Sequence, residues 1–369
     1  MKKSIFAILA VVLMMFSACS GNSEEQAEDS VEVLNKEDVS AVTFTETEDS
    51  TGYTVLEIPT TLPADDYDIG SIAFYNDTFY YALTKTDPMG ENMVACDIVA
   101  YNTITQESEV VFTVPNEKFW LNELKATENA LFWVMEENRE YRIETLDILN
   151  NEVSTVKVLE QGGGVLLETD GEFLTWYEYQ GDDSVLNAYD ISAKTEKTII
   201  TTKNSQSPYT RCPVNNGVIA YFAPESDYQR LSLYDLKAEK LIKDIFISAD
   251  FKVAQPQGNR NFVLWVEENE AYPNTPIYVY SLDRDELLLV EDSAEDSSVF
   301  ATWLGENEVF LVDSQKQTIS CRDLATQEAT QLIYNEGDEF SYYLSHPTPN
   351  GDFIALNMLE KTLILIQRP

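Results

Sequence analysis

Hydrophobic and polar residues alternate along most of this chain in short runs, broken by Asn, Gly and Asp. The stretch 165–202 shows the pattern best. Val165–Thr169, Phe173–Tyr179, Val185–Asp190 and Lys197–Thr202 each read as a strand, rich in β-branched and aromatic residues. The pattern recurs. A strand ends in a short signature: Tyr101-Asn102 before Ile104, Leu146-Asp147-Ile148, Tyr189-Asp190-Ile191, Tyr234-Asp235-Leu236, Tyr280-Ser281-Leu282 and Arg322-Asp323-Leu324. Successive middle positions lie 45, 43, 45, 46 and 42 residues apart. A second feature keeps the same step. Polar turns precede apolar strands at Asn76-Asp77, Glu128-Asn129, Asp170-Gly171, Asn216-Gly217, Asn259–Asn261, Gly305–Asn307 and Asn350-Gly351.

A unit of about 40–45 residues holding four short strands is the mark of a β-propeller blade. One blade cannot bury both faces, so the copies stack radially around a shared core. An all-β solenoid or a pair of sandwiches is the competing arrangement, and regular spacing favours the propeller. The last copy supplies only three strands: 341–345, 352–358 and 362–367. The run Tyr53–Ile58 is available to supply the fourth and close the ring, which removes the bare sheet edges at the seam. The expected fold is therefore all-β, a seven-bladed propeller over residues 53–369, with six blades as the alternative count. Trp133, Trp176 and Trp265 recur at matching places and read as inter-blade core.

The start of the chain reads differently. Lys2 and Lys3 precede an apolar run from Ile5 to Phe16, too short to span a bilayer. Ser17-Ala18-Cys19 follows, and then a polar acidic stretch. This combination resembles the lipobox of bacterial lipoproteins, with Phe16 where an aliphatic residue is usual. The resemblance implies a signal peptide over residues 1–18, lipid on Cys19 and a place outside the cytoplasm, at the cell surface or in the periplasm. Residues 19–52, with Lys36 as the one base, read as the lipidated cysteine and a solvated, disordered tether. The repeats in turn resemble bacterial propellers of the TolB-like and WD-repeat-like class, although the Trp-Asp dipeptide of true WD repeats is absent. That resemblance bears on architecture and says little about function.

Charge narrows the partners. The 369 residues carry 64 acidic and 24 basic side chains and one histidine, a formal net charge of −40. Such a surface repels phosphate, which argues against nucleic acid and against docking on anionic lipid other than through the anchor. It favours basic or neutral partners and divalent cations. The single His346 cannot build a multi-histidine metal site and reads as a packed or channel-lining residue. No Gly-x-Ser-x-Gly elbow occurs, and seven blades leave no room for a hydrolase domain. Asp65-Asp66, Asp182-Asp183 and Asp283 with Asp285 are acidic pairs, read as solvated loop charge, with calcium binding as the alternative. Cys96, Cys212 and Cys321 fall in copies one, four and six, an odd count best read as buried thiols. No catalytic residue, metal ligand or cofactor site is assigned.

A ligand is expected on the face made by the loops leading into each innermost strand and those joining second to third strands. These loops carry Tyr67, Phe119, Trp120, Tyr209, Arg211, Tyr228, Arg230, Phe251, Tyr272 and Tyr342. Aromatics with a few cations suit protein recognition. The expected function is a monomeric, non-enzymatic, membrane-anchored module that binds an envelope protein or peptide. The alternative is a carbohydrate-binding or glycoside-hydrolysing propeller with carboxylates at the channel mouth, so that a glycan is the second candidate partner.

Overall fold

The computed structural model describes residues 32–47, 52–86, 93–114, 119–160, 165–203, 211–224, 228–267, 276–292, 299–313, 315–334 and 342–368. Its strands form seven antiparallel blades in a ring, so the chain is a seven-bladed β-propeller. The innermost strands line the axis: Tyr67–Tyr75, Phe119–Ala126, Glu168–Thr169, Val214–Asn215, Val253–Gly258, Val299–Leu304 and Tyr342–Pro347. Seven separate apolar clusters hold the ring, and each lies between two neighbouring blades. One joins Ala73 and Ile98 of the first blade to Leu124 and Trp133 of the second. The seam is sealed likewise, by Ile354 and Leu365 of the last blade packed on Ile72 and Phe79 of the first. Trp133, Trp176 and Trp265 are fully buried in three of these clusters, as expected of repeated core positions.

The repeat has a structural cause. The side chain of its Asx residue accepts from backbone N–H groups of the turn that follows: Asp190 from Ala193 at 2.7 Å, Asp235 from Ala238 at 2.9 Å, Asp323 from Ala325 and Thr326 at 2.8 Å. The turns between first and second strands are hairpins whose left-handed positions fall on Asn76, Asp77, Gly171, Asn216, Gly217 and Gly351. These are the residue types that tolerate positive φ.

The N-terminal strand closes the ring. Thr54–Pro59 pairs antiparallel with Thr362–Gln367 and becomes the outer strand of blade seven. Upstream, the structure corrects the expected tether in part. Val39–Ala41 pairs in parallel with the outer strand of blade five, from Leu287 to Leu289. Thr45–Thr47 does the same on blade six, from Glu328 to Thr330. Leu34 and Val39 pack on the cluster between blades four and five, and Phe44 on the one between five and six. Lys36 reaches Glu267 at 2.5 Å, and the Arg322 guanidinium lies 5.8 Å from the Phe44 ring centroid. The segment therefore forms a strap on the ring's outer edge. Its few apolar residues, Leu34 and Val39 at one inter-blade seam and Phe44 at the next, do the anchoring. Cys19 and the lipobox lie outside the described residues.

Candidate functional site

Two polar assemblies sit on the propeller axis. The first crosses the channel wall. The innermost strand of blade two reads Leu121-Asn122-Glu123-Leu124-Lys125-Ala126; Leu121, Leu124 and Ala126 are buried in the inter-blade core. The strand's register shifts at this point, and Glu123 takes a left-handed φ of 56°. A non-glycine residue held there costs backbone strain and is kept in place by its surroundings. The Glu123 carboxylate receives both Nη atoms of Arg211, at 2.6 and 3.0 Å. Arg211 Nη1 also donates to Glu168 at 2.8 Å, and Lys125 Nζ donates to the other Glu168 oxygen at 3.2 Å. The Arg211 guanidinium stands 5.9 Å from the Trp303 ring centroid on blade six. One arginine thus links residues of blades two, three and six from the loop leading into blade four.

Electrostatics follow from this geometry. Burial alone would raise the Glu168 carboxyl, but Lys125 and Arg211 outweigh it and hold it below its ordinary value. His346 borders the same cluster. Its Nε2 lies 3.0 Å from the Ile72 carbonyl and its Nδ1 2.9 Å from that of Pro347. Burial and the Lys125 charge push it down to about 4, against the opposing pull of Glu168 and the two carbonyls. His346 is therefore neutral at pH 7 and ties blade seven to blade one. With two carboxylates facing two cations, the cluster is internally neutralised. That differs from a glycosidase pair, in which one carboxyl must be held protonated.

The second assembly is a cavity of about 270 Å³ at the hairpin end of the axis. Blades three to seven each contribute to its wall, through Asp170, Asn215, Gln257, Glu306 and Thr348 among others, together with Arg368. Most of its polar groups are occupied. Asp170 accepts from the N–H groups of Glu172, Phe173 and Gly217 at 2.6–3.0 Å. Gln257 bridges the Thr302 carbonyl and the Leu304 N–H. Arg368 pairs with Glu308 at 3.0 Å. The Thr348 hydroxyl is buried with no partner. Among the described residues no group of three or more His, Cys, Asp or Glu could hold a metal ion. Asp183 and Asp285, each from an acidic pair in the sequence, are matched by Lys203 and Lys243.

The expected ligand residues are not assembled into one site. Phe251 is fully buried, edge-on to Trp265 and Tyr278 at 6.1 and 5.2 Å, and so belongs to the core. Its loop position is misleading because the turn that carries it, closed by Phe251 N–H to the Ser248 carbonyl, sets the ring in the cluster between blades four and five. Tyr67 packs on the cluster between blades seven and one. Tyr228 lies edge-on to Phe246 at 5.3 Å, and Arg230 is half-buried on the same strand. Trp120 is 49% exposed. Phe119 and Tyr342 begin innermost strands, with side chains outside the description, and Tyr209 and Tyr272 lie outside the described residues. Among those whose side chains are described, Arg211 alone joins an axial assembly. Glu123, Lys125, Glu168 and Thr348 were missed. The signal for the first two was charge on both sides of Leu124 in a strand otherwise reading as core.

No family model and no curated protein matches the chain. Solved structures resemble it in fold. The β-propeller domain of the Trilobed protease from Pyrococcus furiosus superposes with a TM-score of 0.57 at 9% identity, over 83% of this chain and 96% of that one. That domain is described as having an open velcro topology, whereas here Thr54–Pro59 closes the seam. Pyrococcus horikoshii acylaminoacyl peptidase gives 0.56 at 12%, over 79% of this chain and 49% of that one. The chain thus spans about half of that peptidase. An oligogalacturonate lyase in complex with manganese gives 0.56 at 10%, over 89% and 97%. These likenesses correct the expectation of a non-enzymatic protein- or peptide-binding module. Propellers of peptidases and of a lyase share this architecture, so the fold gives no ground for setting the chain apart from enzymes. The aromatic loop face meant to carry the partner is, at Phe251 and Tyr67, core packing.

Proposed function

We propose that the propeller is a ligand-binding ring whose site is the axial cavity at its hairpin end. The observation that carries this is convergence. Five blades and Arg368 meet around one polar space of about 270 Å³, near the lower size of small-molecule pockets. Segments from 169 to 368 come together there. The wall is rigid because each hairpin is held by its own blade. The ion cluster of Arg211, Glu123, Glu168 and Lys125 braces the wall from above: Glu168 directly precedes Thr169, which lines the cavity.

We also propose that Cys19 anchors the chain by lipid outside the cytoplasm. The support is the Lys2-Lys3 start, the short apolar run and Ser17-Ala18-Cys19. Cys19→Ala should move the protein from the membrane to the soluble extracytoplasmic fraction, and retention in the membrane refutes the anchor.

A thermal-shift screen of small polar compounds tests the cavity. Compounds that raise the melting temperature by about a few degrees should lose that effect in Asn350→Trp. Asn350 is an exposed lining residue, so the variant should fold while the indole fills the mouth. Shifts that persist in the variant place the binding elsewhere.

A further inference from the structure

We infer that the strap sets how far the propeller reaches from the membrane, by taking up most of the chain between anchor and ring. This rests on the Cys19 anchor proposed above. From Cys19 to the ring-closing strand at Thr54 the separation is 35 residues. A leash of that length spans at most about 120 Å. The strap shortens it. Its first strand, Val33–Leu34, pairs with the outer strand of blade four, so the leash ends 14 residues after Cys19. The greatest span is then about 50 Å. The anchored ring is held by the outer edge of blade four and not by its closing strand on blade seven.

Two observations make the strap a built part of the fold. Glu267 on blade five is 9% exposed, and among the described residues its one cationic partner is Lys36, at 2.5 Å. Its other oxygen accepts from the Tyr278 hydroxyl at 3.1 Å. Without the strap that carboxylate would stay buried and unmatched, a costly arrangement. The same Lys36 Nζ lies 5.4 Å from the Phe251 ring centroid, a cation–π contact. Further along, Phe44 packs between blades five and six against Arg322. The strap is also a layer of its own. Blades four, five and six each keep four strands beneath it, so loosening the strap leaves the blades whole.

The test is neutron reflectometry on the lipidated full-length chain in a supported phosphatidylcholine bilayer, which reads the solvent gap between head groups and protein. The mean reach of a flexible leash grows as the square root of its length. Inserting roughly 20 Gly and Ser residues after Asn22 should therefore widen the gap about 1.6-fold if the strap is docked, and only about 1.3-fold if it is not. Lys36→Glu combined with Phe44→Ser should widen the gap about 1.6-fold with no insertion. The melting temperature of this variant shows whether the blades stay folded; if they do not, the insertion alone decides. The smaller widening on insertion, or an unchanged gap in a folded strap variant, overturns the inference and leaves the anchor standing. A chain that does not enter the bilayer overturns the anchor, and the leash with it.

Discussion

The backbone N–H of Ile191 donates to the carbonyl oxygen of Glu172 at 3.0 Å. This bond ties the turn after the third strand of blade three to the hairpin between its first and second strands. The same bond recurs from Ile148 to Asn129, Leu236 to Gly217, Leu282 to Asn261 and Leu324 to Asn307, at 2.8–3.0 Å. The two sequence repeats are therefore one physical object. The Asx residue caps its turn, and the aliphatic residue after it fastens that turn to the hairpin, at the end of the ring where the cavity opens.

Removing a cap should loosen this fastening. Asp235 is buried, accepts from Ala238 N–H and pairs with Arg260 at 2.9 Å. Asp235→Ala should cost about 1–3 kcal/mol of unfolding free energy, the usual weight of hydrogen bonds to a charged group. Chemical denaturation measures it. A loss below about 0.5 kcal/mol would contradict the role given to the repeat.

Arg211 is predicted to be the keystone of the ion cluster. Arg211→Ala leaves Glu123 without its bidentate partner and Glu168 with Lys125 alone. The expected loss is about 2–3 kcal/mol, below that of a fully buried pair because the Arg211 side chain is 32% exposed. Adding Glu123→Gln should restore part of it, because the stranded charge is then gone. A double-mutant cycle with no coupling between these positions refutes the arrangement.

Stability should fall in mild acid through His346. Its folded value of about 4 lies below the ordinary 6.5, so below 6.5 the unfolded chain binds the proton more readily. The neutral ring's contribution is complete above about pH 6.5 and is lost as pH falls toward 4. Glu168, held low by Lys125 and Arg211, acts in the same direction at still lower pH. Denaturation of the wild type and His346→Gln at pH 7, 5.5 and 4.5 should show a flatter pH dependence in the variant. Parallel curves would exclude His346 as the source.

The strap makes a local prediction. Phe44→Ala removes a ring packed between blades five and six and beneath Arg322. Hydrogen exchange should quicken in 39–47 and in the outer strands Glu286–Glu291 and Glu328–Tyr334. The outer strands of blades one to three should be unchanged. Uniform quickening around the ring would mean that the strap is part of the global fold and not a separate layer.

Much of the fold was legible because a blade repeats, and the repeat carries turn chemistry that hardly varies. The closing strand was legible too, since blade seven visibly lacked one and Tyr53–Ile58 had the right alternation. The strap was hidden. Its pairings are no more than three residues long, and its acidic composition is that of a solvated linker. Phe251 looked like a loop aromatic because sequence distance from a strand says nothing about which way the loop folds. The cavity was the least visible feature. Its lining residues are ordinary hairpin Asn, Thr and Pro, and only closure of the ring brings them into one wall.

Closure also sets a folding problem. Val39 finds Leu287, Thr45 finds Glu328 and Thr54 finds Gln367, so the earliest ordered segment has the latest partners. Until the intervening blades have formed, those edge-seeking residues are unpaired and open to wrong strands, the usual hazard of long-range β topology. Glu37, Asp38 and Glu46 stand among them, and like charge discourages premature strand addition. The acidity of the strap is thus expected to keep its short strands from pairing before their partners on blades five and six are in place.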